Sequence, residues 1–417
     1  MNEYIASYKI RVYLTKYQKY IFKRTCGACG WIYNNYIIVN QERYSKGKKL
    51  LTGYDYSKKL TKWKKENPDY MWLDDPEISS KAIHESFMDA YDAYIRFLKQ
   101  KSGFPRFKSR KRNPVNSYFF VGDKVKFKHN KVKLPILGNV RITENDYVPK
   151  DKRIIGGTLM CKNDKYYAVF RVRQNADDED YGRDVDYSPG IGVDVGIKTF
   201  IIAVNRQGNV LSYEKFIDDE KIKKYDEKIE KFQKIISKKM EINYNHLVTS
   251  YMDKHNELPN ERTQNIMKGE SYSNSCKRLQ LKINRLKEKK HNYKKDKIDK
   301  YVLDLVKRKP EYITIENLSV KNLLENDASS TLHKYIQDSM FRYFFNKLEF
   351  KCFLYNIELR RADKFFASSK KCCICGRKNK SLKLSDRIYT CECGNTIDRD
   401  LNAAINLCNL HKYEIVV

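Results

Sequence analysis

The sequence predicts a multidomain chain of mixed α/β and α+β class, with an N-terminal β-barrel that carries a helical insertion and a C-terminal α/β lobe. Three observations lead there. A chain of 417 residues exceeds what one ordinary core holds. Apolar spacing switches between a period of two and helical spacing along the chain. One acidic stretch, Ala176 to Asp186, interrupts an otherwise basic sequence and reads as a linker between two lobes.

The elements follow in order. Ser7 to Leu14 alternates polar and apolar residues like a half-buried strand, and Tyr17 to Tyr44 then carries apolar residues at helical spacing. Helical patterns continue through Trp63 and Ile83 to Leu98, and Gly103 to Arg112 follows as a basic boundary loop with breakers. Short alternating strands with Gly and Asn-Asp turns fill Ser117 to Val172. Beyond the linker, Gly190 to Val204 is strand-rich. Lys215 to Lys309 is Lys-rich and helical, interrupted around Asn256 to Ser275. Within it Leu279, Ile283 and Leu286 form one apolar stripe, with Lys282, Arg285 and Lys289 on the opposite face. Tyr312 to Glu316 is a short buried strand, Thr331 to Phe353 an amphipathic helix, and Asn356 to Arg361 another strand. The expected division is an N-terminal lobe over 1–175 with its insertion at about 15–110, and a linker over 176–189. The second lobe takes 190–366 and 396–417, with a small inserted segment at 367–395.

Lys and Arg number 83 against 52 Asp and Glu, a formal charge of +31 that repels itself unless a polyanion offsets it. Nucleic acid is the expected partner, and the 32 Tyr supply ring faces for stacking on unpaired bases as well as core. Nothing points to a small-molecule substrate. No run of about 18 apolar residues and no leader at Met1 to Tyr4 is visible, so no membrane association and a cytoplasmic location, on the nucleoid when DNA is bound, are expected. Eleven cysteines in such a chain point to thiols or metal ligands rather than disulfides.

Acids stand where acids are least expected. Asp194 interrupts Ile191-Gly192-Val193-Asp194-Val195-Gly196, Glu316 ends Ile313-Thr314-Ile315, and Asp398 and Asp400 precede an apolar helix from Leu401 to Leu407. Burying a carboxylate among apolar neighbours costs at least roughly 2–7 kcal/mol unless a cation or hydrogen bonds compensate. Mg²⁺ or Mn²⁺ suits carboxylate oxygens, and two-ion phosphodiester hydrolysis needs acids that converge from separate elements. Taken singly, an acid before a helix is as readily an N-cap, which suits Asp398.

Two cysteine pairs, Cys372-Cys373-Ile374-Cys375-Gly376 and Cys391-Glu392-Cys393-Gly394, have knuckle spacing, each with glycine after it. Four thiolates so spaced make a tetrahedral Zn²⁺ site with Cys372, Cys375, Cys391 and Cys393 as ligands, and Cys373 as the alternative to Cys372. Cys26 and Cys29 share the spacing but lack a partner pair, which makes them helix packing.

The order of these features resembles TnpB, the transposon-encoded relative of type V CRISPR nucleases. Gly192 to Gly196 matches its first RuvC motif, Ile315-Glu316-Asn317-Leu318 the second, and Asp398-Arg399-Asp400-Leu401-Asn402-Ala403-Ala404-Ile405-Asn406 the third. Thr25 to Cys29, Gly103 to Ser109 and Phe366 to Lys370 also look like family landmarks. The resemblance implies an RNase H-like (RuvC) nuclease with an inserted zinc ribbon, in which Asp194, Glu316 and Asp400 are catalytic metal ligands. It is the resemblance that selects Asp400 over Asp398. It further implies a guide RNA bound across both lobes and target DNA read by base pairing beside a short motif. Arg106, Lys108, Arg110 and Lys111 are the candidates for backbone contacts to nucleic acid. A miniature type V CRISPR effector would share the nuclease. A non-cleaving RNA-guided repressor would be expected to have lost an acid, and all three are present.

Overall fold

The computed structural model describes residues 3–110, 113–176, 189–196, 199–214, 219–317, 340–364, 366–382 and 386–417. The chain packs as two units, Met1–Glu179 and Asp180–Val417. Lys111, most of the acidic linker, Leu318 and the first part of the helix expected from Thr331 lie outside the described residues.

The first unit opens with strand β1 (Glu3–Tyr13) and helix α1 (Lys16–Ser45). A capping box starts the helix, with Thr15 and Gln18 each satisfying the other's backbone N–H. Helices α2 (Gly53–Glu66), α3 (Pro68–Met71) and α4 (Ser80–Leu98) complete the helical insertion. Its core is aromatic. The Tyr36 and Tyr56 rings meet edge to face at 5.0 Å, and Tyr56 lies 5.1 Å from Phe87. Their hydroxyls are satisfied too, Tyr36 donating to the Leu51 carbonyl and Tyr56 to Asn35 Oδ1. Cys26 and Cys29 are buried under the sheet, where burial pushes the Cys29 thiol up to about 12, so both act as packing.

Strands β2 (Ser117–Val121), β3 (Lys126–Lys128), β4 (Lys131–Leu134), β5 (Gly138–Ile142), β6 (Ile154–Lys162) and β7 (Lys165–Asn175) join β1 in a seven-stranded antiparallel sheet. Its order is β2-β6-β7-β1-β5-β4-β3. The sheet is strongly coiled, because Phe120 and Phe127, on its two outermost strands, both pack on Phe170 of β7 at 5.6 and 5.2 Å. Gly157 makes room for this, since a Cβ there would meet the Phe120 ring at 2.4 Å.

The second unit is built on a six-stranded sheet of order β10-β9-β8-β11-β12-β15. Strands β8 (Ile191–Asp194), β9 (Ile201–Asn205) and β10 (Val210–Glu214) form an antiparallel meander. Helices α5 (Glu220–His255), α6 (Glu261–Glu270) and α7 (Asn274–Lys307) follow. The interruption foreseen around Asn256 to Ser275 therefore holds a helix of its own. The α7 stripe Leu279, Ile283 and Leu286 packs with Ile229 and Ile236 of α5. Strand β11 (Tyr312–Ile315) is parallel to β8 and to β12 (Glu358–Ala362), and helix α8 (Phe341–Tyr355) lies between β11 and β12 in sequence. That helix is preceded by Met340 as its N-cap, at a φ of 62°. A hairpin of β13 (Ile388–Thr390) and β14 (Thr396–Asp398) leads into α9 (Arg399–Cys408), and β15 (Tyr413–Ile415) closes the edge against β12.

Strand alternation assigns the two faces of this sheet. Ile191, Val193, Ile313 and Ile315 pack with Ile298, Val302 and Phe344 of α7 and α8. Gly192 faces the other way and carries α9 directly: a Cβ at Gly192 would meet the Ala404 carbonyl oxygen at 2.1 Å and the Cys408 nitrogen at 2.3 Å. Ile202 and Val204 of β9 meet Ala404 and Cys408 on that same face.

Candidate active site and metal centre

The period of two puts Asp194 and Glu316 on one face of the sheet. Asp194 follows Gly192 on the α9 face of β8, and Glu316 follows Thr314 on the α9 face beyond the end of β11, with Ile315 paired to Val193. Asp400 enters from the first turn of α9 itself. Asp398 is instead the N-cap of that helix, since its Oδ1 accepts the backbone N–H groups of Asp400 and Leu401 at 2.9 and 3.0 Å.

Burial pushes the Asp194 carboxyl well above the usual carboxylate range, and the charges of Glu316 and Asp400 push it further, against the pull of Arg399. Burial raises Glu316 as well, while Ser368 and Arg399 oppose that shift. Carboxylate oxygens are the donors a hard divalent cation takes, and Asp194 feels both other acids, while among the described residues the donor group whose atoms lie within 4.8 Å of one another is the cysteine cluster. A folded pKa above the unfolded one means that the folded state holds this proton more tightly, so stability drops as pH rises from the ordinary value through the raised one. In chelator at pH 8, Asp194→Asn is therefore expected to raise the melting temperature, by about 2–4 °C per kcal/mol of relieved repulsion. The gain should shrink as the pH falls and wild-type Asp194 takes up its proton. A variant that melts below wild type at pH 8 in chelator would contradict this.

The sulfur cluster is compact. Sγ atoms of Cys372, Cys375, Cys391 and Cys393 all lie within 4.8 Å of one another, with Cys372 to Cys393 at 3.7 Å and Cys375 to Cys391 at 3.5 Å. Tetrahedral zinc with bonds of about 2.3 Å sets sulfurs about 3.8 Å apart, so the donors fit that ion. Gly376 and Gly394, at φ of 75° and 88°, make the two knuckle turns that a side chain would strain. Burial disfavours the Cys372 thiolate, yet the backbone N–H groups of Cys375 and Ile374 and the Asn395 amide outweigh it and hold this thiol at about 6. Cys373 stands outside the cluster, with its backbone N–H donated to Asn402 Oδ1 at 2.9 Å.

Comparison with known proteins meets this geometry at both ends. Residues 341–407 match the Cas12f1-like TNB domain, and residues 1–49 match the helix-turn-helix domain of the IS605 OrfB type. A protein of Streptomyces pristinaespiralis named as an RNA-guided DNA endonuclease is 25% identical over 98% of this chain and 89% of its own length. InsQ of Escherichia coli (strain K12), named likewise, is 23% identical over 92% of this chain and 87% of its own. The chain is thus similar, over nearly its whole length, to proteins named as RNA-guided DNA endonucleases. A Cas12f1 complex with sgRNA and target DNA aligns at a TM-score of 0.34 and 18% identity, over 97% of this chain and 99% of that one. A Cas12f ternary complex aligns at 0.37 and 16%, over 96% and 83%. TM-scores of this size leave the fold to be read from the strand order itself.

In this chain the segment matching the helix-turn-helix domain is one strand followed by one unbroken 30-residue helix. The TNB match spans α8, β12, the cysteine cluster and most of α9. Among the basic candidates, Arg106 and Arg110 are exposed. Lys108 is anchored on α1, exchanging backbone hydrogen bonds with the Asn34 amide at 2.7 and 2.9 Å, while its Nζ lies 4.5 Å over the Tyr33 ring.

Three residues near the acids, quoted above only as parts of motifs, have roles the sequence reading did not assign. Ser368 donates its hydroxyl to Glu316 Oε1 at 3.2 Å. Asn402 and Asn406 of α9 donate to the Lys371 carbonyl at 2.7 and 2.6 Å, and Asn406 also to the Ser368 carbonyl at 2.8 Å. Two amides at i and i+4 on the inward stripe of a helix are the signal that could have found them.

Proposed function

We propose that the chain is a TnpB-type RNA-guided DNA endonuclease that hydrolyses phosphodiester bonds of DNA paired to a guide RNA beside a short flanking motif. The observation that carries this reading is that Asp194 feels the charges of Glu316, from the adjacent parallel strand, and of Asp400, from the helix on that sheet face. In order of sequence the sheet runs third, second, first, fourth, fifth, sixth; among the first five only the second is antiparallel to the first, as an RNase H-like nuclease would have it, and the short sixth adds an antiparallel edge. The coiled N-terminal sheet is read as the barrel, with 176–189 as the linker and 367–395 as the zinc ribbon.

Asp194, Glu316 and Asp400 would hold Mg²⁺ or Mn²⁺, which supplies Lewis-acid stabilisation of the attacking and leaving oxygens. The chain's own part is to fix the acids: the β8–β11 register sets Asp194 and Glu316, and the Asp398 cap starts the helix that presents Asp400. The presence of all three acids in the sequence favours a cutting enzyme over a repressor that only binds. The surplus of cations, +31 in all, serves the phosphates of RNA and DNA. No described helix is long and apolar enough to cross a membrane.

The protein purified at low salt is therefore expected to carry a discrete RNA, with binding that weakens about 10³–10⁵-fold between 50 and 200 mM salt if six to ten phosphates are neutralised. Sequencing that RNA tests the reading. Random fragments, or no RNA at all, would count against a guide.

A further inference from the structure

The hydroxyl of Ser368 is placed to do more than fill space. Ser368 is 2% exposed, and its Oγ donates to one oxygen of Glu316 at 3.2 Å, 52 residues away in sequence. Its own carbonyl accepts the Asn406 amide at 2.8 Å, and that amide also reaches the Lys371 carbonyl, next to Cys372, at 2.6 Å. Asn402, wholly buried one turn earlier on α9, takes the Cys373 N–H on its Oδ1 and donates to Lys371 as well. One connected set of hydrogen bonds thus runs from the backbone on either side of Cys372 through α9 to Ser368, whose hydroxyl reaches the Glu316 carboxylate. The helix at its centre is the one that presents Asp400.

We propose that Ser368 is the positioning residue for Glu316, and that the Asn402 and Asn406 clamps make divalent-cation affinity at the carboxylates depend on an ordered cysteine segment. This rests on the nuclease reading above. A carboxylate on a strand end can turn about its side-chain torsions, and each turn changes which oxygen faces the site. A fixed donor on Oε1 selects one orientation before any cation arrives, as partners outside the ligand set do in metal sites generally. Alanine at 368 removes the donor and leaves the backbone carbonyl that Asn406 needs. Threonine keeps the hydroxyl.

The test uses the full chain with its copurified RNA and three readouts: direct Mn²⁺ binding by calorimetry, zinc content, and guided DNA binding in chelator. Ser368→Ala is expected to weaken Mn²⁺ binding about 10–100-fold, with zinc content and DNA binding at the wild-type level, and Ser368→Thr to recover most of the affinity. Asn406→Ala is expected to weaken Mn²⁺ binding while Ser368 is intact. Wild-type Mn²⁺ affinity in Ser368→Ala would overturn the proposal. So would loss of zinc or of DNA binding together with the affinity, because that marks a structural role. Failure of the nuclease reading itself would show separately, as wild-type protein that binds no Mn²⁺ at the carboxylates.

Discussion

Replacing Asp194, Glu316 or Asp400 by alanine is expected to lower guided cleavage by more than about 100-fold, beyond the 10–100-fold that changes outside a metal's ligand set produce. DNA binding should hold, because binding rests on basic surface and on pairing rather than on these three carboxylates. Asp398→Ala separates the two acids of the third motif. Its Oδ1 accepts from Asp400 and Leu401, so its loss costs about 0.5–2 kcal/mol of helix capping and leaves a ligand set intact. Cleavage timed on a matched plasmid at saturating Mg²⁺, beside a binding assay in chelator, checks all four variants. Full cleavage in Asp400→Ala with loss in Asp398→Ala would reverse the assignment.

Cys391→Ser is expected to lower bound zinc from one ion per chain and to abolish most cleavage, while Cys373→Ser keeps both. The structure makes that distinction, since Cys373 Sγ stands apart from the four clustered sulfurs. Zinc held by such a set contributes folding free energy on the order of 10–16 kcal/mol in small peptides, far more than this segment's few buried side chains, Leu382 and Tyr389 among them, can replace. The hairpin of β13 and β14 runs straight into α9, so loss of the cluster should loosen the first turn of α9. Elemental analysis and hydrogen exchange over 386–404 measure both halves. Fully active protein with no zinc would remove the assignment.

What the sequence disclosed follows from cost. A carboxylate inside Ile191 to Val195 and cysteines at knuckle spacing are visible because each is unfavourable or improbable without a partner. The strand and helix alternation of the two units was legible for the same local reason. The Asp398 cap, a local feature just before an apolar helical run, was legible as well. Contacts between distant segments were not. Ser368 meets Glu316 only because β11 and the segment before the cysteines converge in space. Strand β15 is three residues on a sheet edge, too short for a pattern to show. Helix α6 hid in a stretch of mean polarity that reads as a break, although Asn260 caps it on the Thr263 N–H.

The most direct measurement is to rewrite the target-pairing segment of the copurified RNA and time cleavage of matched and mismatched plasmids in Mg²⁺. RNA-guided hydrolysis at the three carboxylates predicts cutting that follows the new segment, is confined to matched plasmid and stops with chelator. Cutting that ignores the rewritten segment would contradict it, whatever the fate of the carboxylates and the zinc.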